Sequence, residues 1–433
     1  MNLQMYFLSC WRIKMYNEEK RRKIVEEAYE KSLFYKELIS TETDFEVFES
    51  LPIVSAEAFR KSSIPVISMK YMMASQKDKL IYISTSGSTG KCLEVVWDKN
   101  DYKKSLLPLW LFRKKYYNIN PNDKFCFFYT IRNLGENEVE SIEDKYSLGF
   151  SKSGLDEKRM LEIYNEILSY DPIWLSLQPS MAMLLLQTGK KYNLPKFPRL
   201  RYIEFSGEIL LPSLKTEVKN FFECDVANQY GCYEVNSIAY ECNYGNMHCM
   251  ESNVYTEIVD KNGEVIGEGE EGEIVITSLE NHATPFIRYN IGDIGVIDKK
   301  TICRCGNKSP IIKLLKGRKN DWITNADGTK TSAYIFARAI ENINYVIGNV
   351  IIQFQIIQKD IDYFFVKVVI DEDIEIDRII DMFKKNILQP SLINAKFEFE
   401  FSRQLFRINE NEKYKFFINE IENKMDIDKN LQR

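Results

Sequence analysis

The sequence predicts an α/β fold: a large N-terminal domain of strand–helix units, an antiparallel β-subdomain, and a small α+β C-terminal domain. Three observations predict it. Between residues 78 and 230 strand-like and helix-like runs alternate, the pattern of parallel strands joined by crossover helices. From 254 to 316 the pattern changes to short apolar runs broken by glycines, as in Gly267-Glu268-Gly269-Glu270-Glu271-Gly272, which reads as antiparallel sheet. At 433 residues the chain also exceeds what one hydrophobic core ordinarily supports.

Taken in order, residues 18–38 are rich in Lys and Glu and read as a helix. A short β-run at 80–83 opens into a loop of hydroxyls and glycines. Strands follow at 123–130, 173–177, 202–205 and 225–229, with helices at 156–170, 180–192 and 211–222 between them. Beyond 316 a smaller unit begins, with helices at 332–342 and 374–386 and strands at 363–370 and 396–401. The expected domains are therefore 1–316, with its β-subdomain at about 240–316, and 317–433.

Composition narrows the function. Apolar residues make up 45% and charged residues 28%, which is ordinary for a globular protein. A net charge of −5 leaves no basic footprint for nucleic acid. Lys20-Arg21-Arg22-Lys23 reads as a solvated helix face. No stretch approaches the roughly 18 apolar residues of a membrane span. Residues 6–11 are apolar but too short for a secretory core, and no basic residue precedes them. The expected compartment is the reducing cytoplasm, where the nine cysteines are metal ligands or incidental thiols.

The richest stretch is Tyr82-Ile83-Ser84-Thr85-Ser86-Gly87-Ser88-Thr89-Gly90-Lys91-Cys92. Small residues let backbone N–H groups converge on a polyphosphate. Hydroxyls on Ser84, Thr85, Ser86, Ser88 and Thr89 add donors, and Lys91 adds a charge. Only two residues separate Gly87 from Gly90, whereas a Walker A loop has four there. Nucleotide binding would use another scaffold. The loop, Ser206-Gly207-Glu208 and Tyr230-Gly231-Cys232-Tyr233-Glu234 each follow an expected strand, and strand ends are where α/β proteins gather ligands.

A second cluster is independent of the first. Cys242 and His248 lie near each other, and Cys303-Arg304-Cys305 follows later. Three cysteines and a histidine complete a tetrahedral structural zinc shell with no open position. Cys249 is the alternative ligand beside His248.

Four later segments join the loop: Tyr230 to Glu234, Arg288-Tyr289-Asn290-Ile291-Gly292-Asp293, Gly317-Arg318-Lys319-Asn320-Asp321, and Glu412-Lys413-Tyr414-Lys415. In this order the set resembles the adenylate-forming superfamily of acyl-CoA synthetases, peptide-synthetase adenylation domains and firefly luciferase. Length, Pro179-Ser180 and the Cys-x-Cys-Gly at 303–306 make the chain most similar to the phenylacetate–CoA ligase-like branch. The resemblance runs from about residue 20 to about residue 420.

The resemblance implies an ATP-dependent ligase that joins a small carboxylic acid to AMP and then passes the acyl group to coenzyme A or a carrier-protein phosphopantetheine. It implies Glu234 as the magnesium ligand, Tyr230 stacked on adenine beside Gly231, and Gly207 and Glu208 lining the adenine pocket. Asp293 would accept the ribose hydroxyls and Arg318 would contact ribose or phosphates. Ser86, Gly87, Ser88, Thr89, Gly90 and Lys91 would cradle the phosphates, with Thr85 at the reaction centre. Lys413, on a mobile C-terminal domain hinged at Asn320, would bridge the carboxylate and the α-phosphate. Some members of the branch carry a metal where the four Cys and His residues fall.

Two departures stand out. Tyr233 replaces the usual Thr or Ser, and Glu412 replaces the glycine before the lysine. They keep a catalytically degenerate nucleotide-binding scaffold in view as an alternative, beside an acyl-protein synthetase. An aryl acid is the favoured substrate class, with Trp110, Phe127, Phe128 and Tyr129 as candidate pocket residues. An acyl carrier protein and a homodimer are the compatible protein partners; nucleic acid and membrane are not expected.

Overall fold

A computed structural model of the chain describes residues 3–39, 48–84, 93–129, 141–152, 155–316, 322–348, 350–370, 374–387, 392, 394–403 and 415–421. The expected site residues Thr85, Ser86, Gly87, Ser88, Thr89, Gly90, Lys91, Arg318 and Lys413 lie outside these, as does the hinge residue Asn320. The fold is mixed α/β. It divides into two compact units, Met1–Pro121 with Ala227–Leu315, and Asn122–Val226 with Lys316–Arg433. No helix among the described residues is long and apolar enough to cross a membrane.

In the first unit the chain starts with helices Leu3–Lys31 and Leu33–Leu38 where one helix was expected. The break falls at Ser32, which is fully buried and gives its hydroxyl to the Val66 carbonyl at 2.9 Å. A serine with an off-helix partner competes with helical continuation. Strands Val254–Val259, Gly272–Ser278, Tyr289–Asp298, Ile311–Lys316, Met247–Cys249 and Ala239–Glu241 lie side by side in that order. The strand ending at Tyr230 pairs antiparallel with Ala239–Glu241. Val254–Val259 and Gly272–Ser278 are antiparallel, in register from Val254↔Ser278 to Val259↔Glu273. At the turn between them, the Asp260 carboxylate accepts from Asn262 N and Glu264 N, and Gly263 takes φ +86°. Only glycine adopts that conformation without strain. Ile274, Ile276, Phe286 and Trp97 form the core with Tyr35 and Phe59.

Helix Lys99–Tyr117 belongs to the same unit and was not expected. Pro108 sits inside it and charged residues are scattered along it, so its periodicity is weak. Its start is nonetheless signalled by Asp98, whose side chain accepts from Asn100 N and Asp101 N, the N-cap geometry.

The second unit bears out the alternation. Strands Ser147–Ser151, Phe125–Tyr129, Trp174–Leu177 and Tyr202–Ser206 run parallel in that spatial order. Ser141–Glu143 adds an antiparallel edge. Helices Glu157–Tyr170, Pro179–Lys191 and Pro212–Phe222 bury Ile163, Ile167, Leu185 and Val218 in a core with Phe128, Phe150, Leu175 and Phe205. Each such fully buried side chain contributes about 1.5–3 kcal/mol. Because strand residues alternate between faces, Phe128 joins this core while Phe127 and Tyr129 point the other way. The three aromatics therefore do not line one pocket.

The same unit holds a four-stranded sheet, in the order Lys396–Ser402, Tyr363–Ile370, Ile351–Asp360, Phe417–Asn419. Helices Tyr334–Ile347 and Ile376–Asn386 supply Phe336, Ile340, Ile379 and Phe383 to its core. Glu341 accepts from both the backbone N–H and the hydroxyl of Ser213 at 2.8 Å. It thereby caps the helix that begins at Pro212.

Candidate active site

A hairpin flanks residues 85–92. Strands Leu80–Ser84 and Glu94–Asp98 pair antiparallel up to Ser84↔Glu94. Trp97 on the second strand donates its indole N–H to the Tyr233 carbonyl at 3.0 Å. Asn236 donates to the Ser105 hydroxyl at 2.6 Å. The hairpin and the following helix thus grip the 231–236 turn.

That turn is strongly determined. A Cβ on Gly231 would lie 1.9 Å from the Asn236 carbonyl oxygen, so no larger residue fits. Asn236 takes φ +64°, a conformation asparagine tolerates better than most. Asn253 donates to the Val235 and Ser237 carbonyls, both at 2.8 Å. The result sets Tyr233 outward, 46% exposed, and Glu234 inward, 7% exposed.

Two of the expected residues meet directly. The Tyr230 hydroxyl donates to Asp293 Oδ2 at 2.6 Å, across 63 residues of sequence. Asp293 is presented by a local bend in which Asn290 Oδ1 accepts from Gly292 N at 2.9 Å and Gly292 takes φ +81°. Glu234 has a partner that motif reading gave no role: the Tyr289 hydroxyl donates to Glu234 Oε1 at 3.0 Å. Burial first, and then the Glu234 carboxylate, push the Cys232 thiol well above its ordinary value. Arg288, next to Tyr289, is a buried anchor. It pairs with Glu257 at 3.2 Å and donates to the Glu49 and Leu51 carbonyls.

In the second unit, Gly207 ends the Tyr202–Ser206 strand with φ +82°. Glu208 accepts from the Ser180 N–H at 3.0 Å and the Ser180 hydroxyl at 2.9 Å. Its carboxylate sits on the first turn of helix Pro179–Lys191, where the helix dipole favours negative charge. The Pro179-Ser180 and Gly207-Glu208 segments are therefore one connected structure.

The cysteine–histidine reading converges in space. One ligand atom from each of Cys242, His248, Cys303 and Cys305 lies within 4.8 Å of the others. Cys242 and Cys303 sulfurs are 3.7 Å apart, and His248 Nε2 is 3.2 Å from Cys305 Sγ. His248 is fully buried, and its Nδ1 lies 3.1 Å from the Ser309 carbonyl. That contact fixes the tautomer that turns Nε2 toward the cysteines. Asn246 Nδ2 and the Asn307 N–H donate to Cys303 and Cys305 at 3.2 and 3.4 Å, as suits sulfurs that carry charge. Burial pushes Cys242 up to about 12. Burial opposes ionisation of Cys303 too, but donors led by the Cys305 N–H and the Asn246 amide bring it down to about 6. The donor set fits a closed, tetrahedral zinc shell. Cys249, although adjacent to His248, is buried elsewhere, in the core with Val254 and Ile276.

Comparison with known proteins bears on this arrangement. A family model described as AMP-binding enzyme matches residues 146–281, a span that holds Ser180, Gly207, Tyr230 and Glu234. Over that span the chain is similar to AMP-binding enzymes. It is distantly similar to Protein CapK of Staphylococcus aureus, at 23% identity over 366 residues, covering 82% of this chain and 76% of that one. A phenylacetate-coenzyme A ligase of Thermus thermophilus is 26% identical over 194 residues, 42% of each chain. Among solved structures, 2-hydroxyisobutyryl-CoA ligase in the postadenylation state with R3-HIB-AMP superposes with a TM-score of 0.73 at 17% identity. That match covers 96% of this chain and 91% of the ligase. Anthranilate CoA ligase AuaEII with anthranoyl-AMP gives 0.55 at 14% identity, over 77% and 65%. These likenesses establish a fold held in common with acyl-CoA ligases.

Proposed function

We propose that this protein is an ATP-dependent acid–thiol ligase. A carboxylate oxygen of the acid attacks the α-phosphorus of ATP and pyrophosphate leaves. A thiol, from coenzyme A or a carrier-protein phosphopantetheine, then attacks the acyl carbonyl of the adenylate and AMP leaves. The observation that carries this reading is the Tyr230–Asp293 hydrogen bond. It joins two separate motifs at the positions where adenine and ribose would be held.

In this reading Tyr230 stacks on adenine over Gly231, and Asp293 accepts from the ribose hydroxyls with its carboxylate oxygens. Gly207 and Glu208 line the adenine pocket, the Ser180 contacts fixing their backbone. Thr85, Ser86, Gly87, Ser88, Thr89, Gly90 and Lys91 hold the phosphates, assisted by Arg318. Lys413 stabilises the charge that builds between the carboxylate and the α-phosphate, the kind of fixed electrostatic contact that dominates such catalysis. Residues 317–433 act as the lid that carries it, turning at Asn320 so that the thiol can enter.

Glu234 holds magnesium. Its hard carboxylate oxygen suits that ion, and among the described residues no lysine, arginine or histidine forms an ion pair with it. When bound, magnesium neutralises the leaving pyrophosphate. Cys242, His248, Cys303 and Cys305 hold zinc as a brace. The Tyr116 hydroxyl lies 3.7 Å from Cys305 Sγ, and Tyr117 donates to the Glu241 carbonyl at 3.0 Å. The brace thereby ties the end of the Lys99–Tyr117 helix to the β-strands. The acid is of the aryl class.

ATP–pyrophosphate exchange over a panel of aryl, fatty and amino acids tests the proposal. Exchange with aryl acids is the expected result. Silence across the panel with ATP still bound would replace the ligase with a degenerate nucleotide-binding scaffold.

A further inference from the structure

Tyr289 lies inside the Arg288–Asp293 motif, yet no nucleotide contact is assigned to it. Its ring packs against both Phe286 and Phe59, with centroids 5.0 and 5.6 Å away, and these two rings lie 5.2 Å from each other. Its backbone is paired on both sides, in parallel with Val54 and antiparallel with Ile276. The hydroxyl is therefore delivered to a fixed place. At that place it donates to Glu234 Oε1 at 3.0 Å.

The choice of a phenol matters chemically. A lysine or arginine there would cancel the charge on Glu234, and a cation would then find little to bind. A neutral O–H restrains one carboxylate oxygen and leaves the negative charge in place. Glutamate otherwise has free torsions, and magnesium demands oxygens near 2.0–2.1 Å in strict octahedral positions. A wandering carboxylate binds it poorly.

We propose that Tyr289 is a positioning residue that holds the Glu234 carboxylate ready for the divalent cation of the nucleotide complex. This rests on the reading of Glu234 as the magnesium ligand. Partners of this kind, one step removed from a metal, typically cost 10–100-fold in metal affinity when removed.

The test uses the full chain with Mn2+ as probe in the presence of ATP, followed by electron paramagnetic resonance, beside thermal unfolding. Tyr289→Phe keeps the ring packed on Phe286 and Phe59 and removes only the donor. It is expected to raise the Mn2+ needed for half-saturation by roughly tenfold, and Glu234→Gln to raise it at least as far. A Tyr289→Phe protein that unfolds earlier but titrates like the parent, while Glu234→Gln does not, overturns the positioning role alone. A Glu234→Gln protein that titrates like the parent overturns the magnesium assignment itself. Should Tyr289→Phe fail to fold, Phe286→Leu loosens the packing behind the Tyr289 ring. An unchanged Mn2+ requirement in that variant overturns the proposal, and a severalfold rise supports it.

Discussion

The Tyr230 hydroxyl donates to Asp293 Oδ2 at 2.6 Å, so the residue proposed to stack on adenine also orients the residue proposed to hold the ribose. A hydrogen bond to a charged group contributes about 1.5–3 kcal/mol. Tyr230→Phe keeps the stacking face and removes that bond. We expect it to weaken ATP binding by roughly tenfold and to narrow the preference for ATP over 3′-deoxy-ATP. Calorimetric titration with both nucleotides checks this. Equal weakening of the two would detach Tyr230 from ribose recognition.

The Cys242, His248, Cys303 and Cys305 cluster predicts about one zinc per chain. Cys303→Ser should lower the metal content below one and lower the unfolding temperature, because structural zinc contributes directly to folding. Elemental analysis and thermal unfolding of both proteins decide it. A parent that is fully folded and free of metal would discard the site.

How far the sequence foretold this arrangement depends on where each signal lies. The alternating strands and helices of 123–229 were legible because their determinants are local: Asp156 caps its helix through Arg159 N, and Pro179 and Pro212 each begin one. The cysteine–histidine cluster was legible because its ligand chemistry allows few other readings. The helix Lys99–Tyr117 was not, since Pro108 interrupts its pattern. The strand Ile351–Asp360 was missed because glutamines break its apolar run. Gln358 is buried only because Thr324 N and O satisfy its amide, a pairing no local window contains. Tyr289 was quoted within a motif but had no visible role. Its partner lies 55 residues away, and a buried tyrosine in an apolar run reads as packing.

Arg288 and Glu257 form a nearly inaccessible ion pair, 3% and 1% exposed at the side chains. Burial raises the Glu257 carboxyl from its ordinary 4.5, and Arg288 opposes that rise. A carboxyl raised in the folded state contributes stability that is present below its unfolded value and lost as pH climbs through its folded value. Arg288→Met removes the opposing charge, raises Glu257 further, and should destabilise by about 3–5 kcal/mol at neutral pH. The loss should be larger at about pH 8 than at about pH 5, where the carboxyl is closer to neutral. Urea midpoints at the two pH values test it. A loss independent of pH would assign the effect to the Glu49 and Leu51 carbonyl contacts instead.

Lys413 and Lys415 are two residues apart, and the proposed mechanism treats them very differently. Lys415 precedes the strand Phe417–Asn419, and its carbonyl accepts from Gln355 Nε2 at 3.0 Å. That contact uses backbone alone, so Lys415→Ala keeps it and should leave pyrophosphate exchange within about twofold, as surface substitutions usually do. Removing a preorganised charge that meets the transition state costs roughly 10²–10³ in rate, and Lys413→Ala should show that loss. Single-turnover measurement of adenylate formation isolates the step, because a lysine that acts only there leaves transfer from preformed adenylate to the thiol unaffected. If Lys415→Ala were the slower variant, the catalytic assignment would move two residues along the chain. If both variants kept parental rates, the charge at the α-phosphate would have to come from Lys91 or Arg318.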